Sequence, residues 1–176
     1  MNILVFSDSH GRWDLVEKLL KTHPRRDGVI FLGDGVRDIS YYDCIEGGGF
    51  FAGVCGNCDG FLFNNVDYDF SEELRLPLSE YTVIAMHGHT HGVKSGIERA
   101  LVYAAQRGGD ILLFGHTHVP FEKYYPKGTV IDGYELQKSM WAFNPGSLGH
   151  PIDGRHTYGL IGIKNGQVLF SHGEIK

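Results

Sequence analysis

Apolar runs of four to six residues recur along the chain, and polar turns close most of them. Residues 2–6, 28–32, 50–54, 81–86 and 111–114 are predominantly Ile, Leu, Val, Phe and Ala. Runs this short, without strict polar alternation, predict strands buried on both faces. Residues 12–22 predict a helix: Trp13, Val16, Leu19 and Leu20 recur at helical spacing as its inward face, and Pro24 marks the exit. Ile39, Tyr42 and Ile45 predict a short helix within 35–48, stopped by Gly47-Gly48-Gly49. Residues 94–107 predict another, with Ser95 helping to cap it and Ile97, Leu101, Ala104 and Ala105 as its apolar stripe. Residues 62–76, flanked by Phe61-Leu62-Phe63 and Leu74-Arg75-Leu76-Pro77, predict one or two exposed strands around a polar turn.

The pattern changes in the last third. Segments 121–125, 129–132, 139–143, 158–163 and 167–171 predict consecutive strands, with Asn165-Gly166 as a hairpin turn. A chain that alternates α and β and then turns to strands belongs to the α/β class. A β sandwich covered by helices accounts for it better than one parallel sheet. At 176 residues, one domain spanning 1–176 is expected.

The putting-together of polar groups is what changes the picture. The apolar runs end in Asp8-Ser9-His10, Gly33-Asp34, Gly56-Asn57-Cys58-Asp59, His87-Gly88-His89 and Gly115-His116-Thr117-His118. Ligands sit at the carboxyl ends of strands in open α/β sheets. Asp8 and His10, two apart on an extended segment, would point to one side; a helix-capping aspartate beside a solvent histidine is the plain alternative. Asp34 has two oxygens and can bridge two cations 3.5–4 Å apart, as two-metal hydrolysis requires, or else it is a turn aspartate bonded to its own backbone. Asn57 offers a neutral amide oxygen, although its loop is also an acceptable turn. His87 is assigned as a ligand, His89 as a substrate contact and His91 as a solvent or structural residue. His116 and His118 alternate after a strand and can serve one metal each. Imidazole and carboxylate donors suit Mn²⁺, Fe²⁺, Zn²⁺, Co²⁺ or Ni²⁺. Cys55 and Cys58 have CxxC spacing, but a redox pair asks for a different strand–helix setting and a zinc knuckle for a second ligand pair.

Net charge is −5 with histidine neutral, and Lys and Arg are dispersed, which disfavours nonspecific nucleic-acid binding. The chain shows no signal-peptide pattern and no apolar stretch near 18 residues, so neither secretion nor a membrane partner is expected. Three cysteines, an odd number, suit a reducing cytoplasm. Trp13, Tyr41, Tyr42, Tyr124 and Tyr125 could stack on a base, though packing is the commoner fate of such residues. Exposed β edges leave a homo-oligomer open.

Together, Asp8-x-His10, Gly33-Asp34, Gly56-Asn57-x-Asp59, His87 and Gly115-His116-x-His118 resemble the calcineurin-like metallophosphoesterase family. Asn144-Pro145-Gly146-Ser147 resembles a loop of its small prokaryotic phosphodiesterase branch. The resemblance implies a four-layer α/β/β/α sandwich of the metallophosphoesterase type and two divalent ions, Mn²⁺ first among them. It implies one metal held by Asp8, His10, Asp34 and His118, and another by Asp34, Asn57, His87 and His116, with Asp34 the bridge. The implied activity is hydrolysis of small phosphodiesters by attack of a metal-bound hydroxide; whether the substrate is nucleotide-derived stays open, with the aromatic residues above as its only sign. The alternatives are a phosphomonoesterase, or a non-catalytic scaffold like the family's retromer subunit. One departure stands out: many members carry a histidine acid where this chain has Cys58, with the acidic neighbour, here Asp59, orienting it. His89 is the residue expected to compensate.

Overall fold

The computed structural model describes residues 1–46, 49–60 and 70–176, without the side chains of Tyr41 and Tyr42. Two five-stranded mixed sheets form its centre. In the first, β1 (Asn2–Phe6), β2 (Gly28–Phe31) and β3 (Phe50–Gly53) run parallel, and β11 (His156–Lys164) pairs antiparallel with β1 and with β12 (Gln167–Ile175). In the second, β5 (Tyr81–Met86), β6 (Ile111–Phe114) and β10 (Met140–Pro145) run parallel. Its edges are the antiparallel strands β4 (Glu73–Leu78) and β7 (Pro120–Tyr125).

Strand alternation explains the layering. Successive side chains on a strand point to opposite faces. Leu4, Phe6, Val29 and Phe31 therefore face outward to Leu15, Val16, Leu19 and Leu20 of α1 (Trp13–Thr22). Ile3, Val5, Ile30 and Leu32 face inward and meet Val83, Ala85, Ile111, Leu113 and Phe143 of the other sheet. On the far side, Ile84, Met86, Leu112 and Phe114 pack against Ala100, Leu101 and Ala104 of α3 (Glu98–Gln106). The result is the expected four-layer α/β/β/α sandwich, and the continuous apolar runs are strands covered on both faces. The short α2 (Tyr41–Ile45) lies with α1, and Ile39 and Ile45 pack on their shared core. The buried Arg26 guanidinium fastens these helices. It donates to Leu20 O and His23 O at 3.0 Å, to Cys44 O at 3.4 Å and to Asp43 O. Carbonyls left unpaired where helices end are thereby satisfied.

Two expectations need correction. Trp13 is not on the inward face of α1: it is 63% exposed, and Leu15 takes the buried place. The buried stripe of Leu15, Val16, Leu19 and Leu20 is centred roughly 90° around the helix from Trp13, which leaves Trp13 at its margin. Ser95 does not cap α3, which opens after Ile97 with no side-chain cap. Gly96, at φ +149°, breaks the helical path between Ser95 and the helix. Segment 129–132 narrows to the two-residue strand Val130–Ile131 (β8), which pairs with Tyr134–Glu135 (β9) in a small two-stranded sheet apart from the two main ones. Asp132 and Gly133, both at positive φ, make the tight turn between them. Phe61-Leu62-Phe63 and Gly47-Gly48 lie outside the described residues, and the second exposed run resolves into β4. No helix among the described residues is long and apolar enough to cross a membrane.

Aromatic rings join the two sheets at β10 and β12. Phe143 stacks on Phe170 and His172 at centroid distances of 5.0 and 4.6 Å, and Trp141 meets Phe170 at 5.2 Å. Phe143 is fully buried. Phe143→Ala should lower the unfolding free energy by about 3–5 kcal/mol through lost burial and a residual cavity. Urea unfolding with an unchanged m-value would check this.

Candidate metal centre

The parallel strands of both sheets end at one edge, and the polar groups that follow them meet there. Asp8 and His10 follow β1, Asp34 follows β2, Asn57 and Asp59 follow β3, His87 follows β5, and His116 and His118 follow β6. The convergence is not achieved on extended backbone. Asp8, His10, Asp34, His116 and His118 take φ of 55°, 45°, 58°, 66° and 59°. The extended alternation expected for Asp8 and His10 is therefore replaced by a bend, and the same holds for His116 and His118. Aspartate and histidine are among the few side chains that enter this left-handed region at modest cost.

Two donor sets adjoin. In the first, Asp8 Oδ1 lies 3.1 Å from His118 Nε2 and 3.7 Å from His10 Nε2, and the two imidazole nitrogens are 3.3 Å apart. In the second, His87 Nε2 lies 3.4 Å from Asp34 Oδ2, 3.2 Å from Asn57 Oδ1 and 3.1 Å from His116 Nδ1. Asp34 Oδ2 also approaches His10 Nε2 at 3.9 Å, so one oxygen faces both sets.

Backbone groups aim each donor. Each buried carboxylate gives one oxygen to an N–H and leaves the other toward the donors. Asp8 Oδ2 accepts from His116 N at 3.1 Å, and Asp34 Oδ1 accepts from Cys58 N at 2.7 Å. His87 Nδ1–H donates to Leu32 O at 2.7 Å, and His118 Nδ1–H donates to His150 O at 2.6 Å. A carbonyl can only accept, so in the neutral rings Nε2 carries the lone pair. Fixing the tautomer this way is what metal-ligating histidines require. Gly33 and Gly56 allow the β2 and β3 loops to touch. A Cβ at Gly33 would sit 2.7 Å from Gly56 N, and one at Gly56 would strike the Asp34 carboxylate. Beneath the donors, Asn144 Nδ2 donates to Gly115 O, Ser147 Oγ donates to Asp8 O, and Leu148 N and Gly149 N donate to Ser7 O and Asp8 O.

The donors suit divalent cations. Asp8 Oδ1 is buried and has no hydrogen-bond partner. The donor atoms of Asp8, His10 and His118 lie within 4.8 Å of one another, as do those of Asp34, His87 and His116, and those of His10, Asp34 and Cys58. Lone pairs packed this closely repel unless positive charge lies among them, and the mixed nitrogen–oxygen set fits a first-row divalent ion. The cluster can thus hold one or two such ions.

The electrostatics follow from the same contacts. Burial opposes ionisation of Asp34, but His87 and the Cys58 N–H outweigh it and hold the carboxyl well below the usual range. Burial pushes His87 down, while Asp34 and Asp8 more than reverse this. Asp8 lifts His118 above its ordinary value against burial. Burial, with His87 and Lys94 nearby, pushes His116 down to about 4. Burial, with Asp34, Asp59 and Asp8 around it, raises the Cys58 thiol to about 11, so it is protonated at neutral pH.

The remaining expected residues divide. Cys58 is exposed at the mouth, and Asn57 Nδ2 donates to its sulfur at 3.3 Å. Asp59 anchors the loop: its carboxylate accepts from Asp34 N at 2.9 Å, Gly35 N at 2.8 Å, Val36 N at 2.9 Å and Gly56 N at 2.7 Å. His89 packs 5.3 Å from His87 and 6.1 Å from His116 between ring centroids, with its Nδ1 buried and unpartnered. His91 turns away to Tyr103 at 4.4 Å, a structural contact. Cys55 is buried in the loop after β3. Two residues escaped the sequence reading. His150 packs edge-on against His10 and His118 at 5.8 and 5.7 Å; its only signal was its place after Asn144-Pro145-Gly146-Ser147. Arg37 lines the cavity beside His10, Asp34 and Cys58, three positions after Asp34 in a chain of scattered cations.

The calcineurin-like phosphoesterase superfamily domain matches residues 1–166. The probable metallophosphoesterase YsnB of Bacillus subtilis is 29% identical over 167 residues, covering 94% of this chain and 86% of its own. A solved structure described as a novel archaeal phosphodiesterase shares the fold with a TM-score of 0.69 at 19% identity, over 99% of this chain and 100% of its own. Vps29 of Entamoeba histolytica, solved in complex with Zn²⁺, gives 0.65 at 19% identity, over 99% of each chain.

Asp59→Ala would leave four backbone N–H groups without their charged acceptor. A loss of about 2–4 kcal/mol in unfolding free energy is expected, since hydrogen bonds to charged groups are worth about 1.5–3 kcal/mol each and water recovers part of the loss. Chemical denaturation of the metal-stripped variant and wild type measures it.

Proposed function

The chain belongs to the calcineurin-like phosphoesterase superfamily, and on that premise we propose that it is a dinuclear-metal phosphodiesterase acting on small phosphodiesters. The observation that carries this reading is the shared position of Asp34 Oδ2, 3.9 Å from His10 Nε2 and 3.4 Å from His87 Nε2. In this reading Asp8, His10, Asp34 and His118 hold one ion, and Asp34, Asn57, His87 and His116 hold the other. When bound, two divalent ions supply Lewis acidity to the phosphoryl oxygens and bring the ionisation of water near neutral pH. Mn²⁺ is the first candidate, and the Zn²⁺ complex of Vps29 supports zinc as the second. The archaeal neighbour's description supports a diester over a monoester substrate.

The chain's own residues then divide the work. Asp8 and Asp34 contribute only two negative charges, so a doubly loaded site stays cationic and attracts a phosphate ester. Asn57 adds a ligand oxygen without adding charge. Cys58, protonated at neutral pH, serves as a neutral neighbour of the substrate and not as a nucleophile. Burial and His87 push the His89 imidazolium down, so His89 acts through a neutral N–H toward the leaving oxygen. Water attacks phosphorus in line, the bond to the leaving alcohol breaks, and the proton that the water gives up ends on the leaving oxygen. Asp59 and the Asn144–Ser147 loop hold the donors in place.

Metal-stripped protein given Mn²⁺ should hydrolyse bis-nitrophenyl phosphate faster than nitrophenyl phosphate. Preference for the monoester would make it a phosphatase, and no turnover of either would favour a scaffold. Asp34→Asn should abolish turnover and lower metal content; retention of both would sink the bridging role. Cys58→Ser should cost less than the roughly 100-fold minimum typical of losing an acid–base group. His89→Asn should slow a diester with a poor leaving group far more than a nitrophenyl ester.

The Asp8–His118 pair sets a pH dependence. Its folded-state value is raised, so its contribution to the metal-free protein is full below the ordinary 6.5 and fades as pH rises through the raised value. Metal uptake must displace that proton and follows the opposite course. Melting curves should show the metal-free protein losing stability over this window while the increment from Mn²⁺ grows.

A further inference from the structure

Arg37 stands exposed in the 3-10 turn Val36–Asp38, and among the described residues no hydrogen bond or ion pair engages its guanidinium. It lines two cavities at once. The first, of about 380 Å³, is walled by His10, Asp34 and Cys58. The second, of about 350 Å³, is walled by Trp13, Glu17, Ser40 and Asp43. Asp38 is also common to both, so the two cavities adjoin at this turn and make up a two-part groove, one part at the donor cluster and the other at Trp13. Each falls within the size range of small-ligand sites.

Two of the carboxylates that line these cavities have other partners. Asp38 Oδ2 accepts from Ser9 Oγ at 2.6 Å and Gly11 N at 2.9 Å, and Asp59 holds its four backbone donors. An unpaired guanidinium beside metal-competent donors suits a phosphoryl oxygen, which it can grip with two parallel N–H bonds. The far cavity has different chemistry. Trp13 is 63% exposed and offers an indole face. Glu17, which also pairs with Lys21 at 2.7 Å, and Asp43 set carboxylates beside the apolar Val16, Leu20 and Ile39, so the walls are mixed. A neutral group with a flat ring and several N–H and O–H donors fits these walls. A nucleoside has all of these features, and carboxylates recognise ribose hydroxyls in other nucleotide sites.

We propose that this groove is a nucleotide subsite, in which Arg37 binds a non-bridging phosphoryl oxygen, Trp13 stacks on the base, and Glu17 and Asp43 accept hydroxyl or amino hydrogens. The inference rests on the phosphodiesterase reading above and names its substrate class, a nucleotide phosphodiester. It also gives a use to two residues that contribute nothing to the core. Trp13 faces solvent although it opens an amphipathic helix, and Arg37 has no structural partner among the described residues.

The test is calorimetry on full-length, Zn²⁺-loaded protein with adenosine 5′-monophosphate and with inorganic phosphate, alongside tryptophan emission. The nucleotide should bind at least about tenfold more tightly than phosphate, as base stacking implies, and should quench emission. Trp13→Leu should abolish the quench and weaken nucleotide binding about tenfold, leaving phosphate binding within about twofold. Arg37→Gln should weaken both ligands about tenfold, with partial recovery in Arg37→Lys, because a charge-assisted bond is lost. Equal affinity for the two ligands without quenching, or nucleotide binding indifferent to Trp13→Leu, overturns the subsite. The wild-type ligand comparison stands even if a variant fails to fold. Turnover of bis-nitrophenyl phosphate by the same protein reloaded with Mn²⁺ separates the two readings. Turnover without nucleotide preference overturns the subsite alone, while nucleotide binding without turnover supports the groove and overturns the hydrolase reading.

Discussion

Two aspartates, 0% and 2% exposed, lie where the two sheets meet, and the surrounding structure makes their burial tolerable. An isolated buried carboxylate is very costly unless hydrogen bonds and opposite charge compensate. Here Asp8 and Asp34 each accept one backbone N–H from a neighbouring loop, and each turns its other oxygen to imidazoles. The backbone donors come from the loops after β6 and β3. Neither carboxylate can therefore be placed until strands from distant parts of the chain have assembled.

The same dependence explains the division of labour around the cluster. Side chains that point into the cluster are held by main-chain groups behind it: Leu32 O for His87, His150 O for His118, Cys58 N for Asp34. Main-chain groups are rigid where strands have just ended, and they set tautomer and direction without adding charge. The left-handed backbone at five donor positions is the conformational cost of bringing those donors inward from parallel strands, and aspartate and histidine bear it better than most residues. Asp59 completes the pattern. It is a charged residue close to the site whose contacts are all with the backbone of the loops that carry Asp34 and Asn57.

Much of this was legible in the sequence, for a physical reason. A strand buried on both faces must be apolar throughout, so β1, β2, β3, β5 and β6 announced themselves, and the polar groups at their ends stood out by contrast. The ordered set of aspartates and histidines needed no geometry to be noticed. Surface choices were less legible. Trp13 matched the helical period of α1 as well as Leu15 did, and only the packing of α1 on the sheet decided that Leu15 is buried and Trp13 meets solvent. Ser95 looked like a cap until Gly96 broke the path to α3.

By itself, the sequence determined the layer order and the identity of the metal-competent donors, because periodicity and residue chemistry are local properties of a chain. Tertiary structure alone decided which oxygen of each carboxylate faces the cluster and which nitrogen of each imidazole carries the hydrogen. It also decided that Asp34 Oδ2 serves both donor sets. It brought His150 against His10 from the loop after β1 and against His118 from the loop after β6, and it placed Arg37 between two cavities. These outcomes depend on contacts between loops that no spacing along the chain encodes, since each loop is aimed by the sheet beneath it and by carbonyls and amides from the loops beside it.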